Sequence, residues 1–521
     1  MTTVPPPPSG RPDEVAALRA ILGAAGYAGP AIQARLGTER DILSRPGDFP
    51  AHLRRLEGDE SALASLTRIF VLLASESVEA ADRVFAPLGA DGLERLGLVS
   101  RRDGRVVASV RLIPHDELVI ASDLGESEAG AEHVPGVQRP SNTLANLTVR
   151  RSVARALDVG TGNGIQALLA ARHAEQVVAT DVNERALGFA RFNVALNGVE
   201  NVELRRGTFL EPVAGERFDL VVANPPYVIS PESSFVFRDS GLGRDHVSEQ
   251  LVRGLPSVLE EGGLATIMVS WVQEGDDVAA RPGQWLSGSG CDAWIFHSGT
   301  DDALSAAAGW NRNVASTAER AEKIDRWLEY FRKEGIEAIS YGAIVLRRRS
   351  GGANWVRSTE LPRGRFTQAS AALERMLAAQ DFLEVAATDE LLLGSRLRIA
   401  PDVTLEQQLA QDDGRWGLRQ AELRLEGGLG FTAGLDPSAT RVVSGLDQSR
   451  PAREALEEAA DALGAERGEF LLSGAELLRL MLTLGFAVPW NDEGAARAAQ
   501  VPARAGSGSA EADPDRARPL K

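Results

Sequence analysis

Three short stretches in the middle of the chain combine residue types that could do chemistry. The first, Leu157-Asp-Val-Gly-Thr-Gly-Asn-Gly164, follows an apolar run and opens a helical pattern from Ile165 to Arg172. Glycines in such a turn let the backbone approach a ligand closely, and the helix start offers free N–H groups to an anionic group. A dinucleotide fingerprint would place its third glycine at position 165, which is Ile165, so the spacing argues against NAD. The second stretch ends at Asp181, where a carboxylate at the close of the next strand can accept hydrogen bonds from both hydroxyls of a ribose. The third is Asn224-Pro225-Pro226-Tyr227. Two consecutive prolines fix φ and remove two backbone donors, leaving carbonyl oxygens and the Asn224 side-chain oxygen as acceptors. A rigid acceptor set suits a planar –NH2 donor, and Tyr227 adds a flat face on which an amide or a nucleobase can stack.

These stretches need a scaffold that brings them to one edge, and the surrounding pattern supplies one. Ala156 to Val159, Gln176 to Thr180, Val202 to Arg205, Phe218 to Ala223, Leu264 to Ser270, Ala293 to Phe296 and Ile336 to Leu346 read as strands, mostly separated by helical segments. That rhythm predicts an α/β fold with a Rossmann-like, doubly wound sheet of seven strands, with ligands bound beyond the carboxyl ends of the strands. The expected division is a disordered Pro-rich lead over 1–11, a helical, winged-helix-like N-terminal domain with a hairpin over 12–135, and the sheet domain over 136–350. An α+β C-terminal domain over 351–491 and a disordered tail over 492–521 follow. The hairpin reading rests on Asp103-Gly104 between two strand-like runs.

On these residues, the segment from about Ala156 to Arg348 resembles class I S-adenosylmethionine-dependent methyltransferases with an Asn-Pro-Pro-Tyr motif, and is most similar to the HemK/PrmC branch. That branch methylates the glutamine amide in the Gly-Gly-Gln motif of translation release factors, while relatives with the same motif modify exocyclic amines of adenine, cytosine or guanine. The resemblance implies S-adenosyl-L-methionine as cofactor. Asp158, Gly160, Thr161, Gly162 and Gly164 would then line its methionine end, Asp181 its ribose, and Thr208 and Phe209 its adenine. Asn224, Pro225 and Tyr227 would hold the target nitrogen, with Asn224 also touching the cofactor and Pro226 beside Tyr227 on the substrate side. One departure stands out: where the family often carries an acidic residue after the third strand, this chain has Gly207-Thr208-Phe209.

Composition narrows the partners. The chain has 521 residues, 56 Lys and Arg against 73 Asp and Glu, a net charge of −17, and one cysteine. One cysteine excludes an internal disulfide framework and a cysteine-ligated zinc site, and the six histidines lack metal-ligand spacing, so no metal is expected. The longest apolar runs are too short to span a membrane, and the start of the sequence lacks the features of a signal peptide, so a reduced cytoplasmic protein is expected. The acidic balance leans toward a protein acceptor, while the possible winged helix and the arginines at 347–349, 357, 363 and 365 lean toward nucleic acid. The expected activity is N-methylation of a protein glutamine or an RNA base. DNA, a small molecule, or a catalytically silent binding module are the alternatives.

Overall fold

A computed structural model of the chain describes residues 5–490 apart from 40, 41, 44, 126–129, 233–242, 315, 352 and 363–365. The chain divides into two compact units, Met1–Ala371 with Gly427–Gly430, and Ala372–Glu426 with Phe431–Lys521. The expected tail over 492–521 lies outside the described residues, as do Arg363 and Arg365.

In the first unit, helices Pro12–Ala24, Gly29–Leu36, Phe49–Arg55 and Ala62–Leu66 are followed by a π turn at Thr67–Val71. Next come β1 (Glu76–Ser77), helices Val78–Val84 and Gly89–Arg95, β2 (Val99–Arg102) and β3 (Arg105–Ala108), in a sheet ordered β1-β3-β2. The β2–β3 hairpin turns at Asp103 and Gly104, whose φ values of 50° and 71° are those of a type I′ turn. A second hairpin pairs β4 (Arg111–His115) with β5 (Leu118–Ser122). Leu18, Phe70, Phe85 and Leu96 from this region share one apolar cluster with Phe189 and Phe192, so the N-terminal layer and the α/β layer have a common core across the expected boundary at 135/136.

The lead needs correction over residues 5–11. Pro8 is buried, the Ser9 N–H donates to the Leu96 carbonyl at 3.1 Å, and Arg185 donates to the Pro5 carbonyl. Gly188 leaves room for Pro7, whose Cγ would sit 2.5 Å from a β-carbon added there. Proline rings already restrict the backbone, so docking such a segment costs less conformational entropy than its composition implies.

The central sheet contains β6 (Val153–Val159), β7 (Ala174–Asp181), β8 (Val202–Arg206), β9 (Phe218–Ala223), β10 (Leu259–Val272), β11 (Cys291–Asp302), β12 (Ala338–Arg348) and β13 (Val356–Glu360). Their order is β8-β7-β6-β9-β10-β12-β11-β13, with β12 antiparallel to both of its neighbours and the remaining pairs parallel. Val221, Val222 and Ala223 of β9 are all buried, as expected for a parallel strand covered on both faces. The order reverses beside β6, so the crevice beyond the carboxyl ends of β6 and β9 is where a ligand should sit.

Eight strands stand where seven were expected. The extra one, β13, pairs parallel to β11 and comes from residues assigned to the C-terminal domain, so the boundary at 350/351 moves beyond 360. The arginine run at the end of β12 also turns inward. Asp292 is fully buried and accepts from Arg347 at 2.7 Å and from Arg349 at 2.8 Å, while Arg348 donates to the Pro256 carbonyl. A buried carboxylate needs such partners, and these guanidinium groups are spent on it.

In the second unit β14 (Leu397–Ile399) pairs with β18 (Ala487–Pro489), and β15 (Val403–Asp412), β16 (Arg415–Leu425) and β17 (Thr432–Leu435) form an antiparallel sheet. Helices Pro437–Gly445, Ala452–Leu463 and Arg467–Thr483 complete an α+β architecture. Among the described residues, no single helix of the chain is long and apolar enough to cross a membrane.

Asn193 fastens the α/β layer to the hairpin of β4 and β5. It is fully buried on helix Glu184–Leu196, accepts from the Ala121 N–H at 2.8 Å, and donates to the carbonyls of Ala121 at 3.0 Å and Asn163 at 2.8 Å. Asn193→Ala leaves those backbone groups unpaired, and the first unit should lose about 2–4 kcal/mol in denaturant unfolding. A loss below about 1 kcal/mol would show that water takes over these bonds.

Candidate cofactor and acceptor site

The glycine turn leaves β6 at Val159 and is strapped to the end of β7, because the N–H groups of Gly160 and Thr161 both donate to the Thr180 carbonyl at 2.9 Å. Gly160 and Gly162 have φ of 72° and 57°, and a β-carbon added to either would meet nothing within 4 Å, so both border open space. Gly164 serves a different end. Its φ is 87°, and an added β-carbon would lie 3.2 Å from Ala190, so this glycine allows close approach of helices Ile165–Ala170 and Glu184–Leu196.

Two carboxylates organise the turn. Asp158 is buried behind it, accepting the Thr161 hydroxyl at 2.6 Å and the Ala167 N–H at 3.0 Å, and burial lifts its carboxyl to about 7. Asp181 is at the front. One of its oxygens accepts the Gly162 N–H at 2.9 Å, the other accepts the Asn183 N–H at 2.9 Å, and burial raises its pKa above the usual carboxylate range. Each oxygen keeps a further lone pair for hydroxyl donors.

Gly160, Thr161, Gly162, Asp181, Thr208, Phe209, Asn224, Pro225, Pro226 and Tyr227 line one cavity of about 580 Å³. Asp158 and Gly164 are not among its lining residues, so their expected contact with a ligand is corrected: they shape the turn from behind. Thr208 and Phe209 border the cavity next to Asp181 and Val182, with Phe209 at a φ of 49° and its carbonyl accepting the Thr180 hydroxyl at 3.4 Å.

At the end of β9 the Asn-Pro-Pro-Tyr turn is held from inside. The Tyr227 N–H donates to the Pro225 carbonyl at 2.8 Å, and the Ser270 hydroxyl donates to the Tyr227 carbonyl. Asn224 Nδ2 donates to Ser141 Oγ at 3.5 Å, which leaves Oδ1 as the acceptor end of the amide. The Pro225 carbonyl, one of the expected acceptors, already accepts from the Tyr227 N–H and keeps one lone pair. Burial, with Tyr341 beside it, raises the Tyr227 phenol above its ordinary value, so the ring stays neutral at physiological pH.

His133, Gln138, Pro140, Ser141, Gln250 and Trp310 also line the cavity and were not singled out as site residues by the sequence. They come from the stretch before β6, from helix His246–Gly254 and from helix Ala303–Trp310, so no local spacing connects them. In the stretch after the motif, Gly241 and Leu242 lie outside the described residues. Arg244 and Asp245 are tied into the fold: the Arg244 N–H donates to Tyr330 Oη at 2.8 Å, and buried Asp245 accepts the Val272 N–H at 3.0 Å and pairs with Arg281. Among the described residues, no group of three His, Cys, Asp or Glu could hold a metal ion.

The state of Asp158 gives a pH signature. Unfolded, its carboxyl ionises near 3.8; folded, it keeps its proton until about 7. Between these values the folded state binds more protons, so the Asp158 contribution is full below the unfolded pKa and is lost as pH rises toward about 7. The unfolding free energy of the wild type relative to Asp158→Asn should therefore fall by a few kcal/mol from pH 4 to pH 7. A flat difference over that range would show that the carboxyl ionises normally.

Comparison with known proteins places this site. Residues 136–275 match the family model described as methyltransferase small domain, while residues 24–109 and 374–489 match models described as domains of unknown function (DUF7059 and DUF7782). A release factor glutamine methyltransferase of Xylella fastidiosa is 35% identical over 152 residues, covering 26% of this chain and 54% of the relative. A ribosomal protein uL3 glutamine methyltransferase of Bradyrhizobium diazoefficiens is 35% identical over 130 residues, covering 22% and 40%. A tRNA1(Val) (adenine(37)-N6)-methyltransferase of Bacteroides thetaiotaomicron is 32% identical over 122 residues, covering 22% and 51%. The chain spans about half the length of the curated relatives it matches. Residues 136–275, which carry the glycine turn, Asp181 and Asn224-Pro-Pro-Tyr227 around one cavity, match a methyltransferase small domain and are HemK/PrmC-like in sequence.

Proposed function

We propose that the chain is an S-adenosyl-L-methionine-dependent N-methyltransferase acting on a planar amide or exocyclic amino nitrogen of a macromolecule. The observation that carries this reading is that Asn224-Pro-Pro-Tyr227 lines the same cavity as the glycine turn and Asp181. The residues present fit the cofactor: Gly160 and Gly162 border open space that any β-carbon would enter, and Asp181 offers paired oxygens to a ribose. Thr208 and Phe209 supply a hydroxyl and a ring toward the adenine, in place of the acidic residue common in the family.

The cofactor supplies a methyl group already activated by its sulfonium centre. What remains for the chain is to place a weakly nucleophilic nitrogen in line, and positioning of this kind can contribute about 7–11 kcal/mol. Asn224 Oδ1 and the free lone pair of the Pro225 carbonyl accept from the target –NH2 and stabilise positive charge growing on it. The rigid Pro225-Pro226 pair and the Ser270 bond to Tyr227 keep those acceptors in place, so no reorganisation is needed at the moment of transfer. No base is required before transfer, because the proton can leave the nitrogen afterwards.

Among acceptors, a protein glutamine is favoured over an RNA base. No Lys or Arg lines the cavity among the described residues, and Asp181 is its one carboxylate, whereas a nucleotide acceptor would bring phosphates to the mouth. Two of the relatives named above act on protein glutamine and one on a tRNA adenine.

The test is transfer of labelled methyl from S-adenosylmethionine to a lysate of the host lacking this gene, with products divided by protease and nuclease sensitivity. Label lost to protease is the expected result; label lost to RNase would place the RNA base first. Asn224→Ala should raise the barrier by about 2–4 kcal/mol, roughly 30- to 900-fold in the rate of transfer at saturating cofactor. Absence of cofactor binding by the wild type would overturn the reading.

A further inference from the structure

The cavity has an aromatic surface that comes from outside the matched methyltransferase small domain, which ends at residue 275. Trp310 is the last residue of helix Ala303–Trp310, in the connection between β11 and β12, and it lines the cavity with Asn224, Tyr227 and Gln250. Ala306 and Ala307 are fully buried and seat this helix, and Trp310 packs on the cluster that holds Val228, the residue after Tyr227. Its indole N–H donates to Tyr341 Oη on β12 at 3.2 Å, with ring centroids 6.5 Å apart and planes at 51°.

An indole has a single donor and no acceptor. With that donor spent on Tyr341, what Trp310 adds to the cavity is an oriented π surface. A planar –NH2 group held at its edge by Asn224 Oδ1 leaves its two faces to be satisfied by flat apolar contacts. Tyr227 and Trp310 are both half-buried and both line the cavity, so the ring from helix Ala303–Trp310 is available to a ligand alongside that of the motif.

We propose that Trp310 is a specificity-determining residue of the acceptor subsite: its indole, anchored on Tyr341, stacks on the face of the planar nitrogen-bearing group that Asn224 holds by its edge, and so selects flat acceptors over aliphatic amines. Tyr341 is then a positioning residue, acting through the indole. The inference rests on the reading of this cavity as the site of methyl transfer.

The test uses the full chain, labelled S-adenosylmethionine and the gene-deleted host lysate, titrated so that the half-saturating lysate concentration and the plateau rate are read separately. Trp310→Phe keeps a flat ring and should stay within about threefold of wild type in half-saturation. Trp310→Leu keeps apolar bulk without a flat face and should raise half-saturation about tenfold or more, the range seen when a stacking residue is truncated, with cofactor binding unchanged by calorimetry. Tyr341→Phe removes the oxygen that fixes the indole and should fall between the two. If the Leu and Phe variants both match the wild type, or both lose cofactor binding, Trp310 has no acceptor role. A wild type that transfers no label to the lysate would instead overturn the methyl-transfer reading, and this inference with it.

Discussion

The bond from the Gly162 N–H to Asp181 holds together the two halves of the cavity. It joins the turn after β6 to the end of β7 at 2.9 Å, and the Gly160 and Thr161 N–H groups reinforce it on the Thr180 carbonyl. The turn must therefore pass close to β7, which requires positive φ at Gly160 and Gly162. Asp158 behind it adds the pull from inside, through Thr161 and Ala167. The carboxylate in front also holds the turn, yet each of its oxygens accepts only one backbone N–H and keeps a lone pair for a ligand, whereas the one behind faces only the protein.

The parts of the site legible in the sequence were those encoded by local spacing. Gly160, Gly162, Asp181 and Asn224 to Tyr227 each sit at the carboxyl end of a strand that its own residues announce, and the parallel fold brings such ends to one edge. The misassigned ones fail for a nameable reason. Gly164 belongs to the same turn as Gly160, yet one step further round it faces Ala190, and sequence spacing does not say on which side of a turn a residue lies. His133, Gln250 and Trp310 enter the cavity only through tertiary packing.

Composition misleads in two other places, each time because a segment borrows its stability from elsewhere. Pro5 to Pro8 read as a disordered lead, but the chain supplies Arg185, Leu96 and the space over Gly188 to receive them. The arginines at the end of β12 lean toward nucleic acid in the sequence, but Asp292 is a buried charge that would be costly alone, and it claims Arg347 and Arg349. The same polar residue types that mark a surface in isolation become internal once a partner is buried opposite.

Strand β13 alters what counts as the catalytic unit. Without it, β11 would present a row of unpaired backbone groups along Ala293 to His297, an open template for pairing with another chain. The segment that covers this edge follows the point at which a minimal domain would be cut from the sequence pattern. A fragment ending at Arg348 would keep the glycine turn and the Asn-Pro-Pro-Tyr motif intact and still expose an adhesive margin, so its solubility would be decided by five residues that touch no part of the cavity.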